Sequence, residues 1–150
     1  MSRARRRCEE LGRIHVLRGL TMRLAEQGAQ EVRRALHAAE SEREEEGARL
    51  GKALSDWGRA LAAPGFDPQA VVAWGGAVNR QVERIEHCDA MLETRCAELV
   101  QAQETYNRAV AEENCADGLR RKARARTARQ REEKLLAVRD DDSTRQAFAR

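Results

Sequence analysis

The sequence predicts an all-α protein, a long antiparallel two-helix coiled-coil hairpin, on three observations. The two prolines of this 150-residue chain, Pro64 and Pro68, sit together near its middle, and proline costs about 3 kcal/mol inside a helix. On either side run more than sixty residues without proline, rich in Ala, Leu, Glu, Gln and Arg. The apolar residues of both arms recur mainly at steps of three and four, the spacing of a seam between two helices. Aromatics are only 3% of the chain, enough for a narrow seam but not for a thick core. Charged residues reach 35%. That level suits disorder as well, but helix-forming composition with heptad-like spacing favours a fold. Length allows a single domain over residues 1–150, and arms of about 60 residues at 1.5 Å rise imply a rod roughly 90 Å long.

Arm one is expected over about residues 3–62. Its stripe runs through Leu11, Ile14, Leu17, Leu20, Leu24, Val32, Leu36 and Ala39, and resumes at Leu50, Leu54, Trp57 and Leu61. Between them, Glu40–Glu46 offers no apolar seam and reads as solvated, loosely held helix. Gly12/Gly19 and Gly51/Gly58 are each one heptad apart, a spacing that would permit close helix approach.

A turn and short helix are expected over 63–76. Pro64-Gly65 ends arm one, Asp67 is a good N-cap and Pro68 fits the first helical position, where its missing N–H costs nothing. Phe66 and Val71 have the spacing of a hydrophobic staple. Gly75-Gly76 then predicts a kinked connection before arm two, at about 77–139. The stripe of arm two is Val78, Val82, Ile85, Cys88, Leu92, Cys96, Leu99, Gln103, Tyr106 and Val110, with a last apolar turn at Leu135, Leu136 and Val138. Asp140-Asp141-Asp142 places like charges at the unfavourable end of the helix dipole, so residues 140–150 are expected to fray.

Chemical motifs are few. Gly47-Ala48-Arg49-Leu50-Gly51-Lys52-Ala53 approaches a phosphate-binding loop but has too few residues between its glycines, no Ser or Thr after the lysine and no preceding strand. His15, His37 and His87 are scattered, and His87-Cys88-Asp89 point in different directions on a helix. No catalytic residue, metal ligand or cofactor site is assigned, and an enzyme is the least favoured class. Cys8, Cys88, Cys96 and Cys115 form no Cys-x-x-Cys pair and read as free thiols of a reducing cytoplasm. No run of about 18 apolar residues suggests membrane insertion, and no apolar core or cleavage site follows the basic start, so a secretory signal is not expected. Trp57 and Trp74 flank the turn. They plug its closed end or offer a partner contact.

Charge is the most functional-looking feature. Net charge is only +3, yet residues 1–13 hold five Arg against two Glu, and residues 118–131 hold seven Arg/Lys and no acid. A hairpin brings the two segments to one open end. Folding alone gives no reason to gather like charges there, and an acidic partner would. The basic open end is therefore the candidate binding site: Arg5, Arg6, Arg7, Arg120, Arg121, Lys122, Arg124, Arg126, Arg129 and Arg131. With no aromatics interleaved, single-stranded nucleic acid has no stacking platform, and a nucleic-acid role is disfavoured.

Over nearly its whole length the chain resembles the FliJ/YscO family of flagellar and virulence type III secretion. The likeness rests on the early Arg13-Ile14-His15-Val16-Leu17-Arg18 stretch, the length, a tryptophan near the mid-chain break and the uninterrupted second arm. A charged end, Gln130-Arg131-Glu132-Glu133-Lys134 through Gln146-Ala147-Phe148, completes it. The resemblance implies a cytoplasmic, non-enzymatic central stalk, peripheral to a membrane-embedded apparatus. Its terminal end would insert into a hexameric export ATPase, and other parts would contact the export gate or export chaperones. A different coiled-coil adaptor or an export chaperone is the alternative.

Overall fold

The computed structural model describes the backbone of residues 3–65 and 67–148, and side chains over 4–65 and 67–139. It is an all-α helical hairpin of two long packed helices, α1 (Arg3–Ala62) and α2 (Pro68–Phe148), without strands among the described residues. Antiparallel pairing follows from its cross-helix contacts, which join Cys8 to Thr127, Arg18 to Glu112 and Arg43 to Asp89.

The connection is shorter than the sequence suggests. α2 starts at Pro68 and continues unbroken through Gly75-Gly76, so residues 68–76 are its first turns rather than a separate short helix. Asp67 caps it as expected: its Oδ1 accepts from the Gln69 N–H at 2.9 Å and its carbonyl from the Val71 N–H at 3.1 Å. Phe66, half of the expected staple, lies outside the described residues. At the other end α2 includes Asp140–Asp142 and reaches Phe148. Ala149 and Arg150 lie outside the described residues.

The chain forms two compact units, one of Glu26–Glu104 and one of Met1–Ala25 with Thr105–Arg150. In the first, α2 turns Val78, Gln81, Ile85, Cys88, Leu92, Arg95, Leu99 and Ala102 inward, steps of three and four without interruption. The sequence-based stripe drifts off this row at Val82 and Cys96, which are exposed, because it follows the larger apolar neighbour. Gln81 and Arg95 stand in the row instead, Arg95 half-buried with its guanidinium bonded to Glu98 at 2.7 Å.

On α1 the matching row is Ala29, Val32, Leu36, Ala39, Arg43, Glu46, Leu50, Ala53, Trp57 and Ala60, leaving Leu54 and Leu61 exposed. The seam thus does pass through Glu40–Glu46, where none was expected. It is built from polar side chains there: Arg43 Nε donates to Asp89 Oδ1 at 3.0 Å, and buried Gln81 donates from Nε2 to the Glu46 carbonyl at 3.0 Å and to the Glu46 carboxylate. Arg49 reaches the same carboxylate. Near the turn the Trp57 indole lies over Gly75, where an added Cβ would sit 3.7 Å from Cζ2, while Trp74 is 38% exposed. Gly12, Gly19, Gly51 and Gly58 have nothing within 4 Å of a built Cβ. They do not mediate close helix approach.

In the second unit the inward row of α1 is Ala4, Cys8, Leu11, His15, Met22 and Ala25, facing Tyr106, Ala109, Glu113, Ala116, Arg120, Ala123 and Thr127 of α2. This overturns the expected stripe after Leu11. Ile14, Leu17, Leu20 and Leu24 are 45%, 62%, 50% and 68% exposed. The phase is fixed by continuing the three-four alternation from Leu11 to His15, and that turns the leucines outward.

Candidate interaction surface

The open end is built by the first turns of α1 against α2 over Leu119–Gln130. Cys8 Sγ and Thr127 Oγ1 meet across the seam at 4.0 Å. Beside them Ala4, Leu11, Leu119 and Ala123 floor an open groove rimmed by Arg7, Lys122 and Arg126. Three of the predicted site residues therefore converge on one apolar floor, drawn from both helices. Leu119 remains half exposed there. The floor was not legible from the charge count, since Leu11 reads as ordinary seam.

Other predicted residues are placed differently. Arg120 Nη2 and Arg121 Nε each bond Asp117 at 2.6 Å, and Arg5 Nε lies 3.4 Å from Glu9. Asp117 stands one residue before the acid-free window, so the window overstated the unneutralised charge. Its carboxyl is held below the usual range, first by the Arg120 hydrogen bond and also by the charges of Arg121, Arg120 and His15, against the opposing effect of burial. Arg6, Arg124, Arg129 and Arg131 are exposed and, like the groove's Arg7, Lys122 and Arg126, form no ion pair with a described residue. From Arg131 to Arg139 every α2 residue is exposed, so this stretch has no partner helix among the described residues.

A polar belt closes the seam behind the groove. Arg18 Nη1 donates to Glu112 Oε2 at 2.5 Å. His15 Nδ1 lies 3.3 Å from Glu113 Oε1, but off the direction a hydrogen bond needs, and is buried with no hydrogen-bond partner among the described residues. Arg120 Nε is likewise buried with no hydrogen-bond partner among the described residues.

In the other unit, Trp57 is part-buried with no hydrogen-bond partner for its Nε1 among the described residues, whereas Trp74 keeps the exposure a partner contact would need. A surface recess there is lined by Glu42, Glu46, Arg80, Glu83, Arg84, His87 and Cys88. Burial, with Glu42, Glu46 and Asp89 nearby, raises the Cys88 thiol above its ordinary pKa, which makes it a poor nucleophile. All four cysteines are free thiols. No group of three or more His, Cys, Asp or Glu among the described residues is placed to hold a metal ion. No described helix is long and apolar enough to cross a membrane. No protein-family model, curated protein or solved structure matches the chain.

Proposed function

We propose that the protein is a non-enzymatic central stalk of a type III protein export apparatus, its basic open end entering the hexameric export ATPase from the cytoplasmic side. The observation that carries this reading is the convergence of Arg7, Lys122 and Arg126, without ion-pair partners among the described residues, around the Leu11–Leu119 floor. The helical hairpin and the stretch Arg131–Arg139, exposed throughout and without a partner helix among the described residues, support it. Acidic or carbonyl-lined loops of the pore would neutralise the rim while an apolar side chain covers the floor. Such a contact forms fast and weakens with salt, because exposed charges are screened within about 8–10 Å.

The test is ATP hydrolysis by the ring with the protein added. Arg7→Glu/Lys122→Glu/Arg126→Glu should keep its helix content, since Glu is also a good helix former, and should lose stimulation of hydrolysis. Trp74→Ala, in the other unit, should keep it. Full stimulation by the charge-reversed protein would reduce the basic end to a solvated face.

The adaptor or export-chaperone reading draws support from a different observation, the exposed leucines of α1. It predicts that hydrolysis is indifferent to the triple reversal.

A further inference from the structure

Residues 11–25 contain no acidic residue but three arginines, Arg13, Arg18 and Arg23. Arg18 is engaged by Glu112. Arg13 and Arg23 are exposed and form no ion pair with a described residue. Alongside them lie Ile14, Leu17, Leu20 and Leu24, all exposed, on the side of α1 away from its inward row Leu11, His15 and Met22. Steps of three, three and four keep the four on one face over three turns. Neighbouring large aliphatic residues on one exposed face are uncommon on a protein that works alone.

From this we propose that the outer face of α1 over Ile14–Leu24 is a docking site for an acidic amphipathic helix of a partner protein. The four aliphatic side chains, at the spacing of helix-in-groove anchors, take the partner's apolar stripe. Arg13 and Arg23, with no acid between them, select carboxylates along its edges. A second copy of the chain is a poorer occupant, because antiparallel self-pairing sets Arg13 against Arg23. An anionic membrane is poorer too: the face has no Trp, Tyr or Phe to seat at a lipid interface. The surface uses none of the groove residues on which the stalk reading rests, so each stands or falls separately.

The experiment is fluorescence anisotropy of full-length protein with a labelled 21-residue designed helix carrying Leu on one face and Glu elsewhere. A companion peptide has every Glu replaced by Lys. The acidic helix should bind at least tenfold more tightly. Leu17→Gln/Leu24→Gln should weaken it tenfold or more with the circular dichroism and cooperative unfolding retained. Arg13→Glu/Arg23→Glu should invert the preference between the peptides. Equal binding of both peptides, or affinity indifferent to the Leu17/Leu24 change, would overturn the proposal. So would sedimentation showing a dimer that the Leu17/Leu24 change dissolves, or tighter binding to phosphatidylglycerol vesicles than to the acidic helix.

Discussion

In the unit of Glu26–Glu104 the inward rows contain Val32, Leu36, Leu50, Trp57, Val78, Ile85, Leu92 and Leu99, and a buried Glu46–Gln81 bond fixes their register. In the unit of Met1–Ala25 and Thr105–Arg150 the buried residues among those described are Ala109 and Ala116, and the inward row is otherwise short or polar apart from Leu11, Met22 and Tyr106. Its large aliphatic residues lie outside instead: Ile14, Val16, Leu17, Leu20, Leu24, Leu119, Leu135, Leu136 and Val138. The first unit leaves Leu54, Leu61, Val72, Trp74, Val82, Met91 and Val100 exposed as well, but it seats eight large side chains in its own seam. The other keeps many of its own accessible, next to cations without ion-pair partners, and that is the composition of a surface meant for another molecule.

The largest effect is expected at the register of the first unit. Gln81→Leu leaves the buried Glu46 carboxylate with one donor fewer and should cost about 2 kcal/mol in denaturant unfolding. Glu46→Leu/Gln81→Leu removes both polar groups and should recover most of that loss. A single change that costs nothing would mean that the pair is not buried.

Glycine offers a smaller, opposite effect. At Gly12 and Gly51 an added Cβ meets nothing within 4 Å, so Ala should stabilise by about 0.5–1 kcal/mol at each site. Destabilisation at either would revive the close-approach reading.

Thiol labelling sharpens the contrast without mutation. Cys96 and Cys115 are exposed and should react with a maleimide within the mixing time, whereas buried Cys88 should react only as its helices open. Equal rates would place Cys88 outside the seam.

The pH dependence is subtler still. Because Arg120 lowers the folded-state pKa of Asp117 below the ordinary 3.8, the unfolded state binds the proton first. The contribution is present above that value and is lost as pH falls through the folded pKa. The stability difference between the natural protein and Asp117→Asn should be flat at neutral pH and close below pH 3.8. A gap that widens in acid would contradict the Asp117–Arg120 bond.

Much of the fold was legible because its signals are local. Pro64 and Pro68 fix the turn, and Asp67 caps α2 through its own carboxylate. The phase of the seam was not legible, since it depends on both helices at once. At 14–15 and 81–82 the larger apolar residue sits one position from the inward row, and His15 and Gln81 enter because three-four alternation fixes the face. A warning lay in the excess: Ile14, Val16, Leu17, Leu20 and Leu24 are more apolar residues than one seam over three turns can take. The basic end was legible as charge. Its apolar floor and the ties from Arg120 and Arg121 to Asp117 required the pairing of the two helices.

The seam's phase in α1 is the claim on which the outer face depends, and equilibrium unfolding of one variant tests it. Ile14→Gln/Leu17→Gln/Leu20→Gln/Leu24→Gln replaces four exposed side chains with a residue of helix propensity close to that of leucine. Surface changes of this kind shift stability by about 0.5 kcal/mol or less each, so the variant should unfold cooperatively within roughly 2 kcal/mol of the natural protein. Were these residues the seam, each would cost about 2–5 kcal/mol. A variant with no folded baseline would return the leucines to the interior and contradict the account.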